Sequence, residues 1–272
     1  MGTEQSKFTQ LIRSAEFLSL NTAIAEVILR RFDYVLSPYS EENLTRHREC
    51  LADGSLVLYL NHITREEPFL AGALSVNALR GQLRGVMAPI GARHYREFGN
   101  KNPMHAALLN HIHLTGIEVL PVPQPYYGDE FTGSETTRMN RNFVRSARDV
   151  LGNKGGMIVI TPEGTRSPDG RLQSAQPGIE HLDKFGERVH FVPWGMIPLA
   201  PYDREDGLGK VEVSVGIPHV RQEIEARWDR SVHGGTMSFA DMLMADLAAR
   251  LPRKMQGAYS GFFSEWDVLV TP

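Results

Sequence analysis

Apolar side chains recur at helical spacing through the first 37 residues: Phe8, Leu11, Ile12, Ala15 and Leu18, then Leu20, Ala23, Ile24, Val27, Ile28, Phe32 and Val35. The spacing predicts an N-terminal helical hairpin, its second arm capped by Asn21 and ended by Pro38. Arg30 and Arg31 fall near the end of that arm, where positive charge complements the helix dipole. Such a hairpin either packs on the main domain or lies on a membrane surface. The small number of basic residues on its polar face favours packing. An N-terminal helical segment over residues 1–48 is therefore expected to precede a second domain over 49–272.

From residue 55 the pattern changes. Ser55 to Leu60 is a short, wholly apolar run of the kind that makes a buried strand. Ile117 to Val122, Gly156 to Ile160, His190 to Trp194 and Val211 to Val215 read the same way. Helix-period segments separate most of them: Glu67 to Arg80, Pro103 to His113, Glu135 to Leu151 and Gly178 to Phe185. Strands alternating with helices predict an α/β domain, a largely parallel mixed sheet flanked by helices. After Pro218 the chain returns to helix, clearest from Ser238 to Leu251, with Ser238 as N-cap and Asp241 in the first turn. Tyr126 to Thr137 reads as a loop.

Composition narrows the class without naming a chemistry. A chain of 272 residues with 42% hydrophobic positions and a mean hydropathy of -0.27 is neither disordered nor a polytopic membrane protein. No run approaches the roughly 20 apolar residues of a bilayer span. A net charge of -3 offers no bulk positive field for nucleic acid. The single cysteine, Cys50, forms no internal disulfide and points to a reducing compartment. The opening MGTEQSKFTQ lacks the segments of a secretory signal, so a cytoplasmic protein is expected. His111 and His113 stand without a carboxylate or cysteine cluster, so no metal site is expected.

In α/β sheets the working residues collect past the carboxyl ends of strands. Two such places are unusually polar here: Asn61 to Pro68, directly after the first apolar run, and Thr161 to Ser167, after the third. His62 followed five positions later by Glu67, with Pro162-Glu163-Gly164-Thr165-Arg166-Ser167 further on, resembles the glycerolipid acyltransferases. These are the phosphatidic-acid-forming enzymes and their relatives, which carry an HxxxxD box and an FPEGTRS box. Phe191-Val192-Pro193-Trp194 is similar to their proline-containing fourth box, and the likeness extends over roughly residues 50 to 220.

The resemblance implies transfer of a fatty acyl group from acyl-CoA or an acyl carrier protein to a glycerolipid-type hydroxyl, with no cofactor beyond the thioester substrate. Glycerol 3-phosphate and its 1-acyl ester are the leading acceptors, and phospholipid synthesis at the inner face of a membrane, with peripheral contact, is the implied setting. His62 and Glu67 would form the catalytic pair. Glu163, Gly164, Thr165 and Arg166 would bind the acceptor. Two departures matter. The family's usual aspartate is Glu67, as in relatives that acylate lipid A-type glycolipids. The arginine that holds the acceptor phosphate in the second box is replaced by Val122. Arg93 or Arg96 are candidate substitutes, and a non-phosphorylated alcohol or amine is the alternative acceptor.

Histidine suits base catalysis because its ordinary pKa of about 6.5 leaves it largely neutral at pH 7. Neutral His62 would take the acceptor proton while Glu67 fixes the tautomer, as in a hydrolase triad with the substrate hydroxyl in the serine's place. No G-x-S-x-G elbow is present, so direct transfer without an acyl-enzyme is expected. A thioesterase and a non-catalytic lipid-binding module are the competing classes. Arg138, Arg141, Arg145 and Arg148 form a helical stripe, either a solvated face or a contact for the donor, with Arg141 and Arg145 at its centre.

Overall fold

The computed structural model describes residues 15–93, 95, 117–124, 131–200, 207–228 and 237–262. Strands without polar alternation form the middle of the sheet. β2 (Ser55–Leu60) is buried at every position, β5 (Gly156–Ile160) at all but its last, and β6 (Val189–Pro198) along most of its length. Strands this dry must be covered on both faces. β5 leads to β3 (Gly85–Gly91) and β4 (Ile117–Val122), and β6 leads to β7 (Lys210–Val215) and β1 (Asp33–Leu36). The order is β1-β7-β6-β2-β5-β3-β4, with the short β8 (His219–Val220) also on β6. β2 to β6 run parallel, whereas β7 and β8 are antiparallel to β6 and β1 is parallel to β7. The protein is an α/β fold with a mostly parallel mixed sheet of eight strands flanked by helices.

The prolines sit where the ladders permit them. Pro193 lies in the gap on one side of β6 between the residues paired to β8 and those paired to β7, and its carbonyl accepts from the Gly216 N–H at 2.8 Å. Pro89 pairs with Leu120 of β4 beyond the point where β3 leaves β5.

α1 (Ala15–Leu29) and α3 (Glu67–Ala78) pack against each other on one face. α4 (Gly133–Leu151) covers the other, where Ser146 Oγ donates to Glu118 Oε1 at 3.0 Å. Glu118 lies between Ile117 and Val119, which point to the α1–α3 side, as alternation along a strand requires. α4 starts at Gly133, inside the stretch expected to be loop, because Thr132 and Glu135 form a reciprocal capping box. α6 (Phe239–Ala248) starts as expected, with Ser238 Oγ accepting from the Asp241 N–H at 3.1 Å. Gly178 to Phe185 belongs to a 3₁₀ segment, Pro177–Phe185.

Three expectations for the N-terminal part are corrected. Asn21 falls inside α1 rather than at the start of a helix. Helix does not continue to residue 37: α1 closes in turns at Arg30 to Phe32, and Asp33 to Leu36 form β1, where Tyr34 pairs with Val211. The open edge of β7 captures a segment whose local periodicity also suited a helix, so tertiary pairing prevails. α2 (Ser40–Asp53), which apolar periodicity did not reveal, runs across the expected boundary at residues 48 and 49. Its buried face is largely polar. Ser40 Oγ, Asn43 Nδ2 and His47 Nε2 reach the carbonyls of Val213, Val215 and Gly216 at 3.3, 2.8 and 3.0 Å. Residues 1–14 of the first arm, the helix expected over Pro103 to His113, and the His111 and His113 pair lie outside the described residues, whereas Ala15 and Leu18 of that arm belong to α1, which runs on without a turn between the two expected arms. Among the described residues no helix is long and apolar enough to cross a membrane.

Candidate active site

His62 follows β2, Thr161 follows β5, Arg93 follows β3 and Gln124 follows β4, so these parallel strands bring all four to one end of the sheet. Asn61 extends β2 by mimicking a strand: its Nδ2 donates to the Met196 carbonyl at 2.9 Å and its Oδ1 accepts from the Met196 N–H at 2.8 Å. His62 comes next. Its peptide is gripped from both sides by the loop after β5, the N–H donating to Glu163 Oε1 at 2.9 Å and the carbonyl accepting from the Ser167 N–H at 2.6 Å.

Glu67 opens α3 and is wholly buried. One carboxylate oxygen, Oε1, accepts from the Ile63 N–H at 2.8 Å and from the Thr64 N–H. The other faces His62 Nδ1 at 3.3 Å. The backbone bonds fix the carboxylate so that its free oxygen meets the ring. With Nδ1–H donating to Glu67, Nε2 carries the lone pair. The His62 side chain keeps 18% of its surface exposed while Glu67 holds its Nδ1 edge. The expected pair is thus in contact.

Glu163 is placed differently from the expected acceptor contact. It is 0% exposed, Oε1 is taken by His62 and Oε2 accepts from the Gln173 N–H at 3.0 Å. Burial pushes its carboxyl up to about 7, against the two N–H bonds, which pull it down. Glu163 is a positioning residue that ties the His62 loop to residue 173. The next residues turn outward. Gly164 closes a turn, its N–H donating to the Thr161 carbonyl at 3.0 Å, with a φ of +70° that glycine adopts freely. Gly164, Thr165 and Arg166 are each partly exposed, between Glu163 and Ser167, the two residues that grip the His62 peptide.

The loop is held from behind by the C-terminal part of the chain. Leu172 exchanges backbone bonds with Met255 and Ala258, and Tyr259 Oη bridges the Ala175 N–H and Asp241 Oδ1 at 3.3 and 2.9 Å. Tyr259 is buried in the hydrophobic core. Phe263 and Trp266 lie outside the described residues.

Arg93 is exposed at the end of β3, and Arg96 lies outside the described residues. Val122 pairs with Gly91 on the edge strand. Two residues later Gln124 reaches across, its Nε2 donating to the Gly164 carbonyl. Sequence reasoning missed Gln124 and Asn61. For Asn61 the signal was an amide directly after an all-apolar strand. Arg141 and Arg145 are exposed, about 13 and 20 Å along α4 from its cap. Among the described residues no group of three or more His, Cys, Asp or Glu could hold a metal.

A cavity of about 170 Å³ starts at Arg65 and Pro68, beside the His62–Glu67 turn, and runs along α3 between α1, β3 and β4. Apart from Arg65, its described lining carries no charged side chain, and Phe69 at its edge is 44% exposed. No protein-family model matches this chain, and no curated protein is similar to it at a significant level.

Proposed function

We propose that this protein is an acyltransferase. It moves a fatty acyl group from an acyl-CoA or acyl-carrier-protein thioester to a hydroxyl of a glycerolipid-type acceptor. The observation that carries the reading is one arrangement: a partly exposed histidine held through Nδ1 by a buried carboxylate, three residues before Arg65 in the lining of an apolar cavity. A base near an apolar cavity suits a lipid thioester better than a polar metabolite.

The acceptor O–H proton passes to His62 Nε2 as the oxygen attacks the thioester carbon. Glu67 stabilises the imidazolium that forms. The tetrahedral oxyanion then collapses, the C–S bond breaks, and the thiolate leaves with the proton from His62 as free thiol. No acyl-enzyme is required. Gly164, Thr165 and Arg166 take the acceptor. Arg166 offers a forked donor to a phosphate or carboxylate, so Arg166→Lys is expected to raise acceptor KM more than it lowers kcat. Glycerol 3-phosphate and its 1-acyl ester are the favoured acceptors, met at a membrane surface. Val122 on the edge strand favours a second reading, the same chemistry on a non-phosphorylated alcohol or amine.

The test follows free thiol with acyl-CoA and with acyl-carrier protein, with and without these acceptors. Acceptor-dependent release supports the proposal. Acceptor-independent release makes the protein a thioesterase, and no release with either donor makes it a lipid-binding module.

A further inference from the structure

Gly72 sits in the middle of α3, a position where glycine is among the poorest helix formers. Its backbone is not in the left-handed region, so conformation does not require it. Close packing does not require it either, because among the described residues a Cβ built there would meet no atom within 4 Å beyond its own turn of helix. Its one structural consequence is to leave the wall of the cavity open between Phe69 and Val76. An unfilled apolar space of this size in a packed protein is costly, and such spaces stay dry and accept apolar ligands.

We propose that Gly72 is a specificity-determining residue that sets how long an acyl chain the cavity accepts, an inference that rests on the acyltransferase reading. From Pro68 to Val76, α3 rises about 12 Å, and Gly72 stands about 6 Å in from the His62 end. A chain whose carbonyl carbon lies at His62 must pass Gly72 if it is long, and stops before it if it is short. Any side chain at 72 projects into this path rather than into protein.

The experiment compares wild type, Gly72→Ala and Gly72→Leu for octanoyl-CoA and palmitoyl-CoA. The first readout is kcat/KM for thiol release, the second is displacement of a fluorescent eighteen-carbon fatty acid, and the third is the unfolding midpoint. Gly72→Leu is expected to lower kcat/KM for palmitoyl-CoA by about tenfold or more, as a blocked apolar subsite does. Octanoyl-CoA should be nearly unchanged and the unfolding midpoint no lower than wild type. Gly72→Ala should fall between them in selectivity. Equal effects on both chain lengths, or an unchanged palmitoyl-CoA rate in a folded variant, overturn the proposal. If the wild type consumes no thioester, the acyltransferase reading fails and the displacement assay alone decides. Palmitoyl-CoA should then displace the fatty acid from wild type and do so more weakly from Gly72→Leu. A fatty acid that does not bind the wild type, or binds all three proteins alike, overturns the assignment of the cavity.

Discussion

Around His62, the backbone N–H groups of residues 62, 63, 64, 167 and 173 are all committed, to Glu67, to Glu163 or to the His62 carbonyl. A few residues further along α3, the cavity wall carries almost no polar atoms and includes a glycine whose missing side chain no described residue fills. The two regions share one helix yet solve opposite problems. Proton transfer needs a ring held to a fraction of an ångström, which convergent hydrogen bonds supply. An alkyl chain needs room and dryness, and directional bonds there would only exclude it. The difference teaches that substitutions at the first region should act on rate, and at the second on which substrate is used.

The sharpest break of that contrast is His62→Ala. Removing the proposed base should cost about 10² to 10⁴ in kcat, with the unfolding midpoint retained. Activity near wild type would remove the histidine from the mechanism. Glu67→Asp comes next. The shorter side chain cannot keep both its backbone bonds and its imidazole contact, and loss of one charge-assisted bond of about 1.5–3 kcal/mol corresponds to about tenfold to hundredfold in kcat. Acyl-chain preference should not move, and a changed preference would show that the two regions are not separable.

Glu163→Gln tests the clamp through pH. Folded Glu163 binds its proton more tightly than the unfolded chain does, with a pKa of about 7 against 4.5. Its contribution to stability is therefore complete below pH 4.5 and is lost as pH rises through 7. Wild-type stability minus that of Glu163→Gln should decline over this window by up to about 3 kcal/mol, measured by urea unfolding. The difference curve is needed because buried His47 and His219, each lowered to about 4, have the opposite slope. A flat difference would show that Glu163 ionises freely. The smallest effect is expected from charge reversal at Arg141 and Arg145, which stand on the solvent face of α4. Stability should stay within about 0.5 kcal/mol, and donor KM in low salt should not change. A raised KM would make the stripe a donor contact.

The central strands were legible because runs such as Ser55 to Leu60 carry no polar alternation, and burial on both faces is their one stable use. The His62–Glu67 pair was legible because five residues of turn and first helical turn bring them together locally. β3 was harder, since two glycines and Pro89 in seven residues read as loop, and the strand exists through its pairing with β4 and β5. α2 escaped because its buried face is satisfied by carbonyls of β7 and the residue after it, partners some 170 positions away.

By itself the sequence determined what depends on neighbours along the chain: the apolar runs of the central strands, the cap at Ser238, and the adjacency of the proposed base and its carboxylate. Only the tertiary structure decided what depends on distant partners. It turned Glu163 inward to His62 and Gln173, drew Asp33 to Leu36 into the sheet, and left Gly72 facing open space. The physical reason is that periodicity and capping are local energies, whereas burial, desolvation and empty volume belong to the packed whole.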